Sequence, residues 1–389
     1  MKKSKRLDLI PPYLFVKIEE KKDELIKKGI DVIDFGIGDP DLPTPPHIIK
    51  KMREVLDDQV SANYPTSKGE FVFRKAVSKW YQKRFGVELN PRDEVCCLIG
   101  SKEGLAHLPF AFVDPGDITL VPDPSYPVYK ICTTLAGGVP YFLPLVESNK
   151  FLPDLESIPA DILKKAKILF INYPNNPTGA VADKAALTKY VEFAKKHDLL
   201  LVSDLAYSEM GYDGYKPTSV LEIEGAKDVC IEFHSLSKTY NMTGWRIGMA
   251  VGNKEAVQAL ATIKSNVDSG AFKAIQLAAI EALSGPQDCV EQNNKIFAER
   301  RNVLIDGLNS LDWKLEKPKA TFYMWVPVPK KETSASFTEK LLDKCGILVV
   351  PGSGYGTAGE GYIRMAITLP KERIALAIER MKKENIRYS

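Results

Sequence analysis

The chain has 389 residues, with 53 lysines and arginines, 50 aspartates and glutamates, and a formal net charge of +3. At about 100–200 residues per domain, this length predicts two domains with sizeable cores. Hydrophobic residues make up 44% and charged residues 26%, which is typical of folded globular proteins and excludes a largely disordered chain. A charge so close to neutrality, without a dense basic stripe, argues against a protein held to nucleic acid by phosphate contacts.

The sequence contains no pattern typical of a membrane span, a secretion signal or a metal site. The longest uncharged stretch, 131–146, contains prolines and is shorter than the roughly 20 apolar residues of a spanning helix. The basic residues at 1–6 are followed by Asp8 and two prolines instead of an apolar core. The cysteines form no Cys-x-x-Cys pair, and the histidines lack zinc-ligand spacing. We therefore expect a soluble cytoplasmic protein without a structural metal.

Short apolar runs alternate with segments of helical periodicity from about residue 94 onward. Runs with little polar alternation are typical of strands buried on both faces, as in a mainly parallel sheet covered by helices. The pattern therefore predicts an α/β architecture. The predicted strands are 95–99, 118–121, 168–172, 199–203, 229–233 and 246–251. The predicted helices are 102–113, 128–136 and 183–197, the last with Asp183 as its N-cap.

The pattern changes after Gly285-Pro286, where a smaller α+β domain is predicted. Its predicted elements are helices 288–311, 336–345 and 371–383 and strands 321–326, 347–350 and 362–367. The proline-rich first 45 residues are expected to pack with this part of the chain. The predicted organisation is a large domain, 46–284, and a small domain made of 1–45 and 285–389.

One glycine motif has the spacing of a dinucleotide-binding loop. The segment from Gly354 through Gly356 to Gly359 satisfies Gly-x-Gly-x-x-Gly, which binds pyrophosphate only where a helix opens at the last glycine. The residues that follow, 360–367, are typical of a strand instead. We therefore expect a flexible glycine loop between two strands and no dinucleotide site.

Four polar segments each follow a predicted strand. Because ligands of open α/β sheets bind outside the carboxyl ends of the strands, these segments are expected to meet in one cleft. Taken singly they are equally typical of a turn, a helix cap or a solvated loop. The segments are Ser101-Lys102, Asn175-Asn176-Pro177-Thr178-Gly179, Asp204-Leu205-Ala206-Tyr207, and Ser235-Leu236-Ser237-Lys238 continuing to Gly244-Trp245-Arg246.

Together, in this order and spacing, the motifs resemble those of the fold-type I pyridoxal-phosphate aminotransferases, the class I and II family. The resemblance extends from about Asp34 to Ile367. It implies the aspartate aminotransferase-like fold, with a large domain built on a mainly parallel sheet and a smaller α+β domain. It also implies pyridoxal 5'-phosphate as cofactor and a ping-pong transfer of an amino group between an amino acid and a 2-oxo acid.

On this resemblance Lys238, Asp204 and Tyr207 are the catalytic residues. Lys238 is the Schiff-base lysine, which needs a lowered pKa and can then move the substrate proton. Asp204 keeps the ring nitrogen of the cofactor protonated. Tyr207 and Asn176 bind the ring hydroxyl oxygen, and the planar fork of Arg246 suits the phosphate.

The resemblance implies further contacts with the cofactor. Tyr126 corresponds to the aromatic residue that stacks on the ring. Tyr64 corresponds to a tyrosine that reaches the phosphate of the neighbouring subunit's cofactor, which implies a homodimer with shared active sites. The phosphate-binding site is expected to be completed by Ser101, Lys102, Ser235 and Ser237.

Substrate contacts follow from the same resemblance. Arg364 corresponds to the arginine that binds the α-carboxylate. An arginine in an apolar strand needs an anionic or polar partner, and a substrate carboxylate would be one. The backbone at Gly38 approaches the same carboxylate, and Asn176 also contacts substrate. Lys68 is expected to serve substrate or phosphate, although a lysine facing solvent is an equally good interpretation.

The choice of amino acid depends on three segments. Residues 265–272 lack the arginine with which one subgroup of aspartate aminotransferases binds the distal carboxylate. Residues 10–15 and 34–46 look most like those of LL-diaminopimelate aminotransferases and their close relatives, which implies a role for Tyr13 in substrate recognition. The implied reaction exchanges an amino group between LL-diaminopimelate and glutamate or 2-oxoglutarate in lysine synthesis. Alanine-, aspartate- and aromatic-preferring enzymes are the nearest alternatives.

Two other functions remain compatible with the motifs. A β-lyase or decarboxylase would use the same cofactor on the same fold. A ligand-sensing regulator would need an added DNA-binding segment, but the residues before 94 already match the family's own N-terminal part. Turnover with an amino donor would distinguish the enzyme from the regulator.

Overall fold

The computed structural model describes residues 1–10, 14–57 and 62–388. Within these ranges no helix combines the length and apolar character needed to cross a membrane. The strands are β1 (Ile33–Asp34), β2 (Val95–Leu98), β3 (Ile118–Asp123), β4 (Val139–Pro144), β5 (Ala166–Ile171), β6 (Leu200–Asp204), β7 (Cys230–Ser235), β8 (Gly248–Gly252), β9 (Tyr323–Pro327), β10 (Ile347–Leu348), β11 (Val350–Pro351) and β12 (Tyr362–Ala366).

Helices cover both the sheet and the C-terminal part of the chain. The α-helices are α1 (Leu14–Lys27), α2 (Pro46–Asp57), α3 (Phe71–Phe85), α4 (Ser101–His107), α5 (Pro109–Phe112), α6 (Val128–Ala136), α7 (Ala160–Leu163), α8 (Lys184–Lys196), α9 (Leu236–Thr239), α10 (Lys254–Val267), α11 (Lys273–Ser284), α12 (Asp288–Asn309), α13 (Ser334–Cys345) and α14 (Lys371–Lys383). Short 3-10 helices span Lys5–Leu9, Glu147–Asn149, Val220–Glu222, Ala226–Asp228, Thr243–Trp245, Gly352–Tyr355 and Thr357–Gly359.

A seven-stranded sheet lies at the centre of the described structure, in the order β2-β8-β7-β6-β5-β3-β4. Strands β3 to β7 pair in parallel, whereas β8 is antiparallel to both of its neighbours. Every residue of β2, β3 and β7 is buried, as expected for apolar strands covered on both faces. The predicted α/β architecture with a mainly parallel sheet is confirmed.

Strand β4 was not predicted from the sequence. It lies at the edge of the sheet and pairs only with β3 in the described residues, so Val139 and Phe142 are exposed. It also contains Pro140 and Pro144, which an edge strand tolerates because it needs fewer backbone donors. It therefore lacks the fully buried pattern of strands such as β2, β3 and β7.

The antiparallel course of β8 determines where functional residues meet. Strands β2, β5, β6 and β7 all have their carboxyl ends on the same side of the sheet, because β2 and β7 are both antiparallel to β8. Strand β8 begins on that same side, and Arg246 lies two residues before it. The residues that follow four strands and the residue that precedes a fifth are thereby brought together.

The C-terminal part of the chain forms a second packing unit. Strands β11, β12 and β9 make an antiparallel sheet, and β1 pairs in parallel with β10 through Ile33 and Ile347. Residues 33–35 thus pack against the C-terminal part. The apolar core of this unit includes Phe35, Phe297, Leu304, Phe337 and Ile374.

Local chemistry explains where several helices begin. Asp183 caps α8, as predicted, with its Oδ1 accepting a hydrogen bond from the Ala186 backbone N–H at 2.8 Å. The helix predicted over 102–113 is divided into α4 and α5 by Pro109, which lacks the N–H that would continue it. Helix α13 begins two residues earlier than predicted because Thr333 and Ser336 form a capping box.

The glycine motif at 354–359 is followed by β12 and not by a helix, so the prediction that it lacks dinucleotide-binding geometry is confirmed. The expectation of a flexible loop is wrong, because two 3-10 helices order this segment. Asp123, at the end of β3, accepts hydrogen bonds from the Thr357 hydroxyl at 2.8 Å and the Ala358 N–H at 3.3 Å. The motif therefore fastens the C-terminal unit to the central sheet.

Candidate active site

A cleft of about 380 Å³ lies at the carboxyl ends of the parallel strands, where the polar segments meet. All four segments contribute to it, as expected for a ligand site at the carboxyl ends of parallel strands. Residues of the C-terminal unit and of the loop after β1 close it from the other side. The predicted site residues that line it are Gly38, Ser101, Lys102, Tyr126, Asn176, Asp204, Tyr207, Ser235, Ser237, Lys238, Arg246 and Arg364.

Three predicted site residues are not among those lining the cleft. The side chain of Tyr64 is 89% exposed. Lys68 donates through Nζ to the Arg92 carbonyl at 3.0 Å and to Gln258 Oε1 at 3.4 Å. Tyr13 lies outside the residues that the structure describes. The described residues therefore leave the roles predicted for these three residues untested.

Lys238 projects into the cleft from α9, the single helical turn that follows β7. Ser235 caps this turn, since its hydroxyl accepts a hydrogen bond from the Ser237 N–H at 3.2 Å. The Lys238 ammonium donates to the Gly38 carbonyl at 3.0 Å. Burial lowers the pKa of Lys238 to about 8, the nearby charge of Asp39 opposes this shift, and Arg246 and Arg364 reinforce it.

The lowered pKa predicts unusual reactivity of Lys238 in the cofactor-free chain. Competitive labelling with acetic anhydride, followed by peptide mass analysis, should give a reactivity that rises with pH to a midpoint near 8. A lysine peptide in the same mixture should titrate near 10.4, the ordinary value for lysine. Labelling of Lys238 that still climbs steeply through pH 10 would contradict the lowered pKa.

Asp204 forms the buried anionic group of the cleft. It ends β6, and its Oδ2 accepts a hydrogen bond from the Tyr129 hydroxyl at 2.7 Å. Its other carboxylate oxygen, Oδ1, is buried and has no hydrogen-bond partner among the described residues. Burial raises the pKa of Asp204 to about 6, and the hydrogen bond from Tyr129 only partly offsets this shift. A cationic N–H donor would satisfy Oδ1 and restore the charged form.

The Asn-Asn-Pro-Thr-Gly turn is folded by its own side chains. Asn175 Oδ1 accepts from the Thr178 hydroxyl at 2.7 Å, and Gly179 adopts φ +70°, which favours glycine. Asn172 connects the turn to β6, because its side chain donates to the Asp204 carbonyl at 2.6 Å and accepts from the Asn176 N–H at 2.8 Å. This network presents the Asn176 side chain to the cleft.

Arg364 lies in β12 and is almost fully buried. Its guanidinium donates to Asn176 Oδ1 at 3.0 Å and to the Gly36 carbonyl at 2.6 Å. It also lies 4.2 Å from the ring centroid of Tyr323 and 4.9 Å from that of Tyr355. A planar guanidinium held between two rings and aimed into a cleft is preorganised for a carboxylate.

Arg246 supplies a second guanidinium. It donates to the Thr243 carbonyl at 2.9 Å and to the Ile99 carbonyl at 3.4 Å, which joins β8 to the end of β2. Gly100, at φ +77°, is required here because a Cβ would lie 2.4 Å from Arg246 Nη2. The hydroxyl and cationic donors that line the cleft with Arg246 are suited to a phosphate: Ser101, Lys102, Ser235 and Ser237.

Several lining residues were not singled out from the sequence. Tyr129, which donates a hydrogen bond to Asp204 from outside the lining residues, was not singled out either, because it has no distinguishing local sequence signal. Asp39 falls in a stretch that matches the family but to which no role was given, while Tyr323 lies in a strand distant in sequence from the motifs. The additional lining residues are Ile37, Asp39, Gly100, Asn172, Ala206, Thr243 and Tyr323.

A second titratable cluster lies outside the cleft. Oxygen and nitrogen atoms of Glu103, His107 and Asp268 approach within 4.8 Å of one another. The buried ammonium of Lys264 binds Glu103 at 2.9 Å and Asp268 at 3.1 Å. Since this cation pairs with both carboxylates, the cluster is a partly buried ion-pair network that joins α10 to α4.

A lysine of lowered pKa, a buried carboxylate and an arginine at the strand ends of the central sheet, faced by a second arginine from β12, are the groups that a transaminase needs. The family model for aminotransferases of class I and II matches residues 30–381. The chain belongs to this family.

Curated relatives match over the whole length. The LL-diaminopimelate aminotransferase of Moorella thermoacetica is 55% identical, and the match covers 98% of each chain. LL-diaminopimelate aminotransferase 2 of Trichormus variabilis is also 55% identical, over 100% of each chain.

Solved structures give the same fold. Substrate-bound BacF from Bacillus subtilis superimposes with a TM-score of 0.96 at 38% identity, over 100% of this chain and 99% of that one. A mutant of Thermus thermophilus aspartate aminotransferase has a TM-score of 0.92 at 30% identity, over 98% of this chain and 99% of that one. The predicted aspartate aminotransferase-like fold is confirmed.

Proposed function

We propose that this aminotransferase uses pyridoxal 5'-phosphate to transfer an amino group between LL-diaminopimelate and 2-oxoglutarate in lysine biosynthesis. The observation that carries the choice of substrate is the 55% identity to LL-diaminopimelate aminotransferases over 98–100% of the chain. Aspartate-, alanine- and aromatic-specific relatives remain the alternatives within the same chemistry. A cytoplasmic location remains a prediction.

The cofactor proposal is supported by an unpaired atom. Asp204 Oδ1 is a buried acceptor without a partner among the described residues, and a protonated ring nitrogen is a donor that fits it. Arg246 and the neighbouring hydroxyls would bind the phosphate, and Tyr126 would stack on the ring. Tyr207 and Asn176 would contact the ring hydroxyl oxygen.

When bound, pyridoxal phosphate supplies an electron sink for the pair released from the substrate Cα. Asp204 would hold the proton on the ring nitrogen that makes the sink effective. Lys238 would be the point of attachment of the cofactor, and its free neutral amine would carry the Cα proton of the substrate. In the cofactor-free chain a pKa lowered to about 8 leaves part of the Lys238 amine neutral near neutral pH, as attachment of the cofactor requires.

The α-carboxylate of the substrate would bind to Arg364. Its guanidinium is already oriented by Asn176, by the Gly36 carbonyl and by two aromatic rings. The backbone of Gly38 would contact the same carboxylate. Tyr13 would contribute to substrate recognition, and Lys68 would serve substrate or phosphate.

The substrate proposal predicts a preference in steady-state rates. With 2-oxoglutarate as acceptor, kcat/KM for LL-diaminopimelate should exceed that for aspartate, alanine or phenylalanine by roughly 10²-fold or more, because a site built around a polar distal group discriminates strongly against substrates that lack it. Glutamate formation measured with each donor checks this. Faster turnover with aspartate would contradict the substrate and leave the cofactor chemistry intact.

We propose that the active enzyme is a homodimer in which Tyr64 reaches the partner subunit's cofactor. Exposed apolar side chains occur in the segment that contains Tyr64 and in residues 267–272, and exposed apolar residues of this kind are typical of protein contacts. The two segments adjoin, since the Glu70 N–H donates to Gln276 Oε1 at 2.7 Å and a Cβ at Gly270 would lie 2.8 Å from the Thr66 carbonyl oxygen. The exposed apolar residues are Tyr64, Phe71, Val72, Val267 and Phe272.

A shared site predicts complementation between two defective chains. Tyr64→Ala and Lys238→Ala subunits, mixed and allowed to exchange, should regain activity above the average of the two parents. The mixed dimer contains one site with both an intact Lys238 and an intact Tyr64 from the other chain. A mixture of Tyr64→Ala subunits with wild-type subunits is the control for subunit exchange itself. Activity equal to the parental average, with mixed dimers demonstrated by mass, would exclude the shared site.

We also propose that the chain divides into a large domain, 46–284, and a small domain, 1–45 with 285–389. Helix α2 begins at Pro46 and α11 ends at Ser284, which supports boundaries at these points. The pairing of β1 with β10 supports assigning the first 45 residues to the small domain. The cleft is then lined by both domains.

A further inference from the structure

Tyr323 occupies a junction between three groups of the proposed mechanism. It begins β9, and only 3% of its surface is exposed. The Tyr207 hydroxyl donates to the Tyr323 hydroxyl at 3.2 Å, and the two rings meet edge to face with centroids 5.7 Å apart. The Arg364 guanidinium lies over the Tyr323 ring at 4.2 Å.

The third group is the loop at Gly38. A Cβ at Gly38 would lie 2.2 Å from the Tyr323 hydroxyl oxygen, so the tyrosine ring fills the space that a side chain would need. The Gly38 carbonyl accepts the hydrogen bond of Lys238 at 3.0 Å. The Tyr323 backbone is fixed in turn, because its N–H donates to Thr321 Oγ1 at 3.1 Å.

The number of hydroxyl protons limits what this pair of tyrosines can do. Each phenol has one proton to donate and can accept as well. In the cofactor-free chain the proton of Tyr207 points to Tyr323. When Tyr207 donates to the ring hydroxyl oxygen of a bound cofactor, its own oxygen is left as an acceptor, and the Tyr323 hydroxyl is already within reach to donate to it.

We propose that Tyr323 is a positioning residue that donates its hydroxyl proton to Tyr207 and thereby strengthens the hydrogen bond from Tyr207 to the cofactor's ring oxygen. This inference rests on the proposed cofactor and on the role of Tyr207. Hydrogen bonds in such a chain polarise one another, so the bond from Tyr207 is stronger than Tyr207 alone would make it. A stronger donor stabilises the anionic form of the ring oxygen.

The consequence is a shift in the pH at which the bound cofactor changes its visible absorbance. Loss of the Tyr323 hydroxyl weakens the donor to the ring oxygen, so protonation of the cofactor's linkage to Lys238 becomes easier and the midpoint moves to higher pH. One weakened hydrogen bond corresponds to a shift of about 0.5–1 pH unit. A tyrosine that served only for packing would leave the midpoint unchanged when replaced by phenylalanine.

The experiment titrates the absorbance of four holoenzymes: wild type, Tyr323→Phe, Tyr207→Phe and the double variant. The expected midpoints are raised in Tyr323→Phe, raised further in Tyr207→Phe, and the same in the double variant as in Tyr207→Phe, because Tyr323 acts through Tyr207. Tyr81→Phe is the matched control, since Tyr81 is also fully buried and its hydroxyl donates to Glu232 at 3.1 Å, but it lies outside the residues that line the cleft. It should keep the wild-type midpoint.

Three results would overturn the inference. An unchanged midpoint in Tyr323→Phe would assign Tyr323 to packing alone. A shift that adds to that of Tyr207→Phe in the double variant would mean that Tyr323 does not act through Tyr207. A wild-type protein that shows no visible absorbance with added pyridoxal phosphate would overturn the proposed function as well, which separates the two failures.

Discussion

Replacing Lys238 by alanine is expected to abolish both the visible absorbance of the cofactor-loaded protein and its turnover. The amine is the group to which the cofactor bonds and the group that moves the Cα proton, so turnover should fall by about 10⁴-fold or more. Absorbance spectra and glutamate formation with purified protein measure the two effects. The exposed Lys254→Ala is the control and should leave both unchanged.

A second substitution distinguishes loss of the amine from loss of packing. Lys238→Arg keeps a long cationic side chain, but guanidinium remains protonated at every accessible pH and cannot attack the cofactor. It should be as inactive as the alanine variant and equally colourless. Turnover retained in either variant would mean that another amine performs the chemistry.

Replacing Asp204 by asparagine is expected to leave the cofactor bound and to lower kcat by roughly 10²–10³-fold, the range for loss of one preorganised electrostatic partner. The amide is nearly the same size and can still accept from Tyr129, which donates to Oδ2 at 2.7 Å. It cannot provide the negative charge that keeps the ring nitrogen protonated. Single-turnover rates with an amino donor, together with absorbance of the bound cofactor, measure the effect.

Glu232 offers a matched control for burial of a carboxylate. It lies on β7, next to β6, is fully buried, and has a pKa that burial raises to about 7. Its oxygens are already satisfied by Tyr81, Ser203, Ser219 and the Val220 N–H. Glu232→Gln should lower stability and leave kcat of the folded protein close to wild type. Equal losses of kcat in the two variants would indicate a general effect of burial and remove the special role of Asp204.

The sheet was largely predictable because its strands are buried on both faces. The apolar composition of runs such as 95–99 and 229–233 is enough to predict a strand, and the structure has strands at Val95–Leu98 and Cys230–Ser235. Strand β4 was not, since Pro140 and Pro144 interrupt its apolar residues and its position at the sheet edge leaves Val139 and Phe142 exposed. The break between α4 and α5 depends on Pro109, a local signal that a periodicity argument alone overlooks.

The candidate site divides in the same physical way. Asp204 and Lys238 follow strands directly, so the sheet topology places them in the cleft once the strands are known. Tyr129, which donates to Asp204, and Tyr323, which lines the cleft, lie in elements whose sequences carry no chemical signal, and only tertiary packing identifies them. Tyr64 was predicted from family resemblance, and its proposed role requires a second chain that no property of one chain's sequence can position.

A half-reaction with single amino acids tests the proposed transamination of LL-diaminopimelate most directly. Purified protein loaded with pyridoxal phosphate is mixed with LL-diaminopimelate, glutamate, aspartate, alanine or phenylalanine in the absence of any acceptor, and loss of the visible absorbance is followed together with the 2-oxo acid formed. We expect rapid loss of absorbance with LL-diaminopimelate and glutamate, one oxo acid released per site, and return of the absorbance on adding 2-oxoglutarate. Absorbance that no amino acid changes would contradict the assignment as an aminotransferase.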